Sequence, residues 1–157
     1  MDHAISHWKI YKNGEVINTN ELKEVYLTGE IYATAKYLDG KLEGSYKTYY
    51  KNGNLKESGK YIKGNAEGTF TSYFENGDTE KIDRYKEGEL NGETMSFFED
   101  GSLKSKIKYL NDEKNGYAIQ YLEKDKLLFE GTYKNGERVG KVVEYEYYKD
   151  NSIKSKK

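Results

Sequence analysis

The sequence has no cysteine and no proline among its 157 residues. Without cysteine the chain can form neither a disulfide nor a thiolate metal site, which fits a reducing compartment. Without proline, every backbone N–H is free to join a hydrogen-bonded ladder. These two absences favour an uninterrupted sheet, and a cytoplasmic location is the expectation.

Long hydrophobic runs are also missing. Hydrophobic residues make up 35% of the chain and charged residues 34%, and no stretch is apolar enough for a bilayer span or a signal-peptide core. The 26 basic and 27 acidic residues are interspersed, so no basic stripe is present that could bind phosphates. We therefore expect no nucleic-acid partner, and the same charge balance disfavours a membrane.

Residues that carry catalysis are sparse. His3 and His7 lie near the start of the chain, and a metal site built on them would need a helix and further ligands. The sequence has no nucleophile motif, phosphate-binding loop or dinucleotide-binding turn, and its carboxylates are evenly spread. We predict a protein that is not an enzyme, with no catalytic residue, no metal ligand and no cofactor.

Aromatic side chains, in contrast, are plentiful: 17 Tyr, 5 Phe and Trp8. In a chain with few aliphatic residues, rings and long methylene stems can cover each other across a thin sheet. This aromatic content and the strict internal period described next argue against disorder.

Glycine recurs at intervals of 24 residues without drift, and a tyrosine follows it 17 residues later in each full unit. A period of this length is typical of a repeat array, in which each small unit buries its apolar face only against its neighbours. The glycines are Gly44, Gly68, Gly92, Gly116 and Gly140, and the tyrosines are Tyr61, Tyr85, Tyr109 and Tyr133. The predicted divisions are an N-terminal cap at 1–19 with a truncated first hairpin and Trp8, then units 20–43, 44–67, 68–91, 92–115 and 116–139, and a partial unit 140–157.

Two turn signals divide each unit. Asn52-Gly53 favours a type I′ hairpin turn, since both central residues of that turn need positive φ, and Lys63-Gly64 gives a second turn. The strands between turns are about nine to eleven residues long. The sequence therefore predicts an all-β fold: an antiparallel meander of tandem hairpins forming a single twisted or rolled, elongated sheet.

The pleat of such hairpins predicts which residues share a face. If both turns contain two residues, most recurrent apolar positions collect on one side of the sheet. The expected pairs are Tyr50 with Leu55, Tyr46 with Gly59, Gly44 with Tyr61, and Tyr61 with Ala66.

The string Tyr-Tyr-Lys-Asn-Gly-Asn-Leu-Lys-Glu at 49–57 resembles the variant MORN repeat, as do the strings at 73–77 and 97–101. The resemblance implies arrays of antiparallel β-hairpins with no catalytic role of their own. It also implies a relation to bacterial antitoxins or to immunity proteins that neutralise a toxin. Related repeats elsewhere are similar to membrane-associated or scaffolding modules. The chain departs from the pattern at Asn111-Asp112 and at Lys124-Asp125, where turn glycines are replaced.

The face opposite the core is expected to be mostly Lys, Glu, Thr and Ser, with one larger apolar or aromatic residue per unit. This stripe consists of Val25, Tyr49, Tyr73, Phe97, Tyr121 and Tyr145. One interpretation is structural: each ring packs on a lysine stem of the neighbouring strand, as Tyr49 on Lys56 or Phe97 on Lys104. The other is a strip that binds a partner.

Towards the C-terminal half, the same face gains apolar residues at positions that are Lys or Ser earlier in the chain. They are Met95, Tyr117, Ile119, Leu128 and Val143. A loss of charge at neighbouring surface sites indicates a protein-binding patch, and a second small core or a homodimer contact are the alternatives.

We therefore predict a non-enzymatic protein-binding repeat protein. The resemblance points to an antitoxin or immunity protein that blocks a toxin by steric occlusion. A membrane-peripheral or scaffolding module is the alternative.

Overall fold

A computed structural model of the chain describes the backbone of residues 3–6, 10–12, 15–17, 21–38 and 40–156, and the side chains of residues 23–38 and 40–156. Trp8, expected to cap the first hairpin, lies outside these ranges. All regular elements in the described part are strands. They are β1 His3–Ser6, β2 Ile10–Lys12, β3 Glu15–Ile17, β4 Glu21–Tyr26, β5 Ile31–Leu38, β6 Lys41–Tyr49, β7 Leu55–Ile62, β8 Asn65–Ala66, β9 Gly68–Tyr73, β10 Thr79–Lys86, β11 Glu89–Leu90, β12 Gly92–Phe97, β13 Leu103–Leu110, β14 Glu113–Glu123, β15 Lys126–Lys134, β16 Glu137–Tyr147 and β17 Ile153–Lys156.

Fifteen of the described strands form one antiparallel sheet. Its order follows the chain from β4 to β17, with β1 beside β4, while the short strands β8 and β11 extend the pairing of β7 and β10. Strands β2 and β3 pair separately. The predicted all-β meander of hairpins is therefore confirmed, as a single open sheet.

The second turn has the φ pattern of a type I′ turn in the four units between residues 44 and 139, with φ of 52° at Lys63 and 89° at Gly64 in the first of them. The turn is held from the preceding hairpin, because the Gly64 N–H donates to the Leu42 carbonyl at 2.8 Å. The same bond recurs from Gly88 to Ala66, from Asp112 to Leu90 and from Gly136 to Lys114. One row of backbone hydrogen bonds thus joins successive units along this edge, which we call the second-turn edge.

The glycine that opens each unit sits at a bulge. Between β5 and β6 the pairing moves from Ala35–Tyr46 to Tyr37–Leu42, so that extra residues around Gly44 are left out of the ladder. All five opening glycines have positive φ, as at Gly92 with 126°, a conformation that other residues rarely adopt. This requirement explains why glycine recurs with the period.

The first turn differs from the prediction. Gly53 has a φ of 86°, but Asn52 has no positive φ, and the hydrogen bonds Tyr50 N to Asn54 O and Gly53 N to Tyr50 O enclose a three-residue loop. This is a type I turn followed by a bulge. The pairing consequently shifts to Tyr49 with Leu55, so the predicted Tyr50–Leu55 pair was wrong.

The other predicted pairs are confirmed: Tyr46 with Gly59 and Gly44 with Tyr61, and Tyr61 with Ala66. On this inner face, the rings of Tyr46, Tyr61, Phe70 and Tyr85 meet edge to face, with centroids 5.4, 5.3 and 5.1 Å apart. Gly59 is required there, since a Cβ would lie 2.4 Å from the Phe70 ring. Burial raises the pKa of Tyr46 to about 12.

The inner face is more polar than the sequence suggested. Asp83 is 8% exposed, accepts a hydrogen bond from Thr94 at 3.0 Å and pairs with Lys81 at 2.7 Å. Burial favours the neutral amine of Lys81, yet the hydrogen bond and charge of Asp83 leave its pKa above the usual value. Burial, followed by the charge of Asp83, raises the pKa of Glu57. Charged groups therefore lie within the core face as well as opposite to it.

A cluster of buried hydrophobic residues lies in the C-terminal half, where Ala118, Phe129 and Tyr133 pack with Ile107 and Val142. No described side chain is completely buried. The chain exposes 10601 Å², against about 8,100 Å² for a compact monomer of this mass. The protein is thus a thin sheet, and both of its faces offer extensive surface.

Candidate partner-binding face

The outer face, opposite the Tyr46–Phe70 ladder, carries a row of residues that are paired from strand to strand. Its N-terminal members are polar, whereas Ile82 on β10 pairs directly with Met95 on β12. Ile119 follows after one intervening lysine. All three apolar side chains are half-buried. In order, the row is Lys47, Ser58, Thr71, Ile82, Met95, Lys106, Ile119, Glu130 and Val143.

A second row runs beside it, close to the first turns. Its aromatic members occupy equivalent places in successive hairpins. They pair as Tyr49 with Leu55, Tyr73 with Thr79, Phe97 with Leu103, and Tyr121 with Leu127. Val25 pairs with Ile31 in the same way.

The lysines that one interpretation placed over this stripe lie elsewhere. The Nζ atom of Lys56 is 5.6 Å from the ring centre of Tyr50, and that of Lys104 is 5.6 Å from the ring centre of Phe98. The first-turn bulge shifts each lysine away from the place expected for a two-residue hairpin.

Tyr145 departs from the stripe. It pairs with Lys156, whose Nζ atom lies 5.3 Å from the Tyr145 ring centre, and it stacks on Tyr147 with centroids 6.5 Å apart. The place equivalent to Tyr49 belongs to Tyr147, which pairs with Ile153.

Three other predicted residues differ in accessibility. Tyr117 is 50% exposed, and its hydroxyl donates to Glu130 at 2.9 Å. Val143 is only 5% exposed and offers little surface. Leu128 lines a cleft of about 320 Å³ together with Tyr145 and with inner-face residues including Phe129. The outer face of β12 thus carries Met95 and Phe97, and that of β14 carries Tyr117, Ile119 and Tyr121. Tyr49 and Tyr73 lie at the equivalent place of the two preceding hairpins.

A hollow of about 420 Å³ opens at the first-turn end of this surface. Ile82, Phe97 and Thr79 supply its less polar lining, and Asp78, Glu99, Asp100 and Gly101 complete it. Hydrogen bonds from the side chain and backbone of Ser102 lower the pKa of Asp100, and Lys124 adds a smaller effect in the same direction. Asp100 is therefore ionised at neutral pH.

Comparison with known families decides what kind of chain this is. A family model described as MORN repeat variant matches residues 42–63, 66–87, 90–111 and 114–135, which make up more than half of the sequence. The chain belongs to this family. Variant MORN repeats are generally not catalytic, and membership indicates a non-enzymatic repeat protein that acts by binding.

Curated proteins include no match to this chain. Among the sixteen matching chains of solved structures is one from the crystal structure of a GtfA/B complex bound to UDP and GlcNAc. It is 17% identical, with a TM-score of 0.30, and the alignment covers 71% of this chain and 22% of that one. The present chain thus spans about a fifth of that structure's length.

Two further observations concern the described part of the MORN array. It contains no helix that is long and apolar enough to cross a membrane. Within the same ranges, no three His, Cys, Asp or Glu side chains are placed to hold a metal ion.

Ile82 and the hollow beside it were not predicted from the sequence. At the equivalent place the neighbouring MORN units carry Ser58, Lys106 and Glu130, so the position does not recur as apolar. The signal in the sequence is a single apolar residue, Ile82, at a repeat position that is polar in the neighbouring units. The hollow itself depends on how two turns separate, which a repeat alignment does not show.

Proposed function

We propose that the protein is an antitoxin or immunity protein that neutralises a protein toxin by covering it with the outer face. The observation that carries the proposal is the direct pairing of Ile82 with Met95, continued by Ile119, in a row whose N-terminal members are polar. The predicted patch is centred there, with the rings of Phe97 and Tyr121 beside it.

The surface has the features of a binding patch. Large side chains on paired strands present contact area with little conformational freedom to lose, and aromatic residues are enriched at the energetic centres of interfaces. Lys106 and Glu130 alternate with the apolar members of the row and can orient a partner through charge. The choice of a toxin as partner rests on the resemblance to bacterial antitoxins.

The test is co-expression of this chain with the product of the neighbouring gene, followed by affinity capture and a growth assay. Met95→Lys and Ile119→Lys place a lysine where the MORN unit at 44–67 already carries Lys47, so the sheet accommodates it. Each should weaken the complex about tenfold or more, as expected at the centre of an interface. Ser58→Lys is the control, since it introduces a lysine in the same row two strands away from Ile82, at the repeat position where the unit at 92–115 already carries Lys106.

A complex that withstands Met95→Lys and Ile119→Lys as well as Ser58→Lys would contradict the proposed face. Absence of a complex and of growth rescue with wild-type protein would contradict the antitoxin role. Co-sedimentation with anionic liposomes that weakens with salt would favour the membrane-peripheral alternative. A homodimer broken by Ile119→Lys would assign the patch to self-association.

A further inference from the structure

The hollow at the first turns results from the way consecutive hairpins pair. Strands β10 and β12 pair at Lys81–Ser96 and Ile82–Met95, and no register pair of these strands lies closer to the first turns. The two hairpins therefore separate towards the turns, and side chains decide whether the space between them is filled. We call this space the first-turn gap.

The gap between units 44–67 and 68–91 is closed by side-chain donors. The Tyr50 hydroxyl donates to the Tyr73 carbonyl at 2.6 Å. The side-chain amides of Asn54 and Asn52 donate to the Glu75 carbonyl at 2.9 and 3.3 Å. Three hydrogen bonds thus fasten one turn to the next.

The following gap, between units 68–91 and 92–115, lacks these donors. Phe74 stands in the place of Tyr50 and has no hydroxyl, and Asp78 stands in the place of Asn54 as an acceptor only. The amide of Asn76 is directed to Asp78 of its own turn at 3.0 Å. This gap stays open as the hollow of about 420 Å³.

The open gap has a definite chemical character. Its lining includes Phe97 and Ile82, together with Asp78, Glu99 and Asp100. All three acidic residues are exposed. The lining therefore combines an aromatic residue with negatively charged acceptors, and Lys124 of the next unit acts electrostatically on Asp100.

We infer that this hollow receives an arginine side chain of the protein partner, an inference that rests on the proposed binding function. A guanidinium group is planar, stacks on an aromatic face and donates several hydrogen bonds to carboxylates in one plane. It would supply the donors that Tyr50 and Asn54 supply in the closed gap. A partner contacting Met95 and Ile119 would thus carry a basic residue at the rim of its apolar contact.

The test uses isotope-labelled protein and the capped tripeptide acetyl-Gly-Arg-Gly-amide, followed by amide chemical shifts. Millimolar binding is expected, with shift changes concentrated in residues 78–82 and 97–101. The same peptide with citrulline keeps the shape and removes the charge, and should bind about tenfold more weakly because charged hydrogen bonds are lost. Equal shifts with both peptides would overturn the inference.

Two variants locate the site. Phe74→Tyr with Asp78→Asn copies the closed gap into the open one and should abolish the localised shifts. Glu99→Gln with Asp100→Asn should weaken binding roughly fivefold through loss of charge. Glu75→Gln removes one charge at the closed gap and should leave binding unchanged.

Binding that survives the gap-closing double variant would overturn the inference, as would shifts spread evenly over all acidic turns. The experiment needs no toxin, so its result is separable from the co-expression test. If the tripeptide does not bind but Ile119→Lys still breaks the toxin complex, the arginine site falls and the proposed function stands.

Discussion

The two edges of the sheet are held together in different ways. Along the second-turn edge, successive units are joined by backbone hydrogen bonds such as Gly64 N–H to Leu42 O, and the same bond occurs four times. Along the first-turn edge, the joints are made by side chains such as Tyr50 and Asn54, and they are missing in the next unit. A hydrogen bond between backbone groups survives a change of side chain, whereas a hydrogen bond from a side chain is lost when that side chain is replaced. The first-turn edge is therefore the one at which units can differ and a binding site can form.

The largest expected effect comes from the bulge glycines, which support the second-turn edge. Gly92 has a φ of 126°, and a Cβ there would lie 3.0 Å from Cδ and 3.2 Å from Cβ of Arg84. Gly92→Ala should lower the free energy of unfolding by about 2–3 kcal/mol, measured by urea denaturation.

Gly101→Ala is its counterpart on the first-turn edge. The φ of Gly101 is 79° and a Cβ would meet nothing within 4 Å, so a cost of about 1 kcal/mol is expected. An equal loss of unfolding free energy in Gly92→Ala and Gly101→Ala would show that the two edges tolerate the loss of a glycine equally well.

An intermediate effect on the free energy of unfolding is expected where a side-chain hydrogen bond between successive first turns is removed or added. Tyr50→Phe deletes the hydroxyl that donates to the Tyr73 carbonyl and should lower the free energy of unfolding by about 1 kcal/mol. Phe74→Tyr adds a hydroxyl at the equivalent place and should stabilise by about 0.5–1 kcal/mol. Chemical denaturation of both variants measures the difference. A neutral Tyr50→Phe would mean that this edge is not held by its side chains.

The smallest effect concerns pH at a single first turn. The Ser102 hydrogen bonds hold the pKa of Asp100 below its ordinary value of 3.8. A carboxyl with a lowered folded-state pKa contributes stability above the unfolded pKa and loses it as pH falls through the folded pKa. Hydrogen exchange at the Ser102 amide, corrected for its intrinsic rate, should therefore lose protection as the pH falls below 3.8 and through the lowered pKa of Asp100.

An internal control is available in the unit at 44–67. There the Asn54 N–H donates to the neutral amide oxygen of Asn52 at 2.8 Å, so its protection should not change over that range. Wild-type Ser102 exchange as flat as that of Asn54, or as flat as in Asp100→Asn, would refute the assignment.

Much of the fold followed from the period and the pleat. The pairs Tyr46–Gly59 and Gly44–Tyr61 lie across the first turn and are present because the register shift between Thr48 and Tyr49 restores the predicted alternation beyond the three-residue loop. The pair Tyr61–Ala66 depends on a second turn of two residues, which is also present. The second turn kept this geometry at Asn111-Asp112, where both residues have positive φ, because the backbone bond from Asp112 to Leu90 holds it in place.

The first turn could not be predicted in the same way. Asn-Gly favours a type I′ turn as an isolated pair, but here the Asn52 side chain accepts a hydrogen bond from Asn54, and a longer loop results. Because the loop has three residues, Leu55 pairs with Tyr49 and Lys56 lies over the ring of Tyr50. The candidate face was predicted where it follows the regular row through Met95 and Ile119, and was missed at Ile82 and in the hollow, where neighbouring units differ.

The backbone bonds of the second-turn edge have a mechanical consequence. Each of them anchors a turn to a carbonyl in the unit before it, as Gly136 does to Lys114. A steady force on the C-terminus would therefore unfold the units one after another. The last unit would be released first, while the hydrogen bonds among the earlier units remain intact. A force–extension trace should show a series of small steps instead of one rupture.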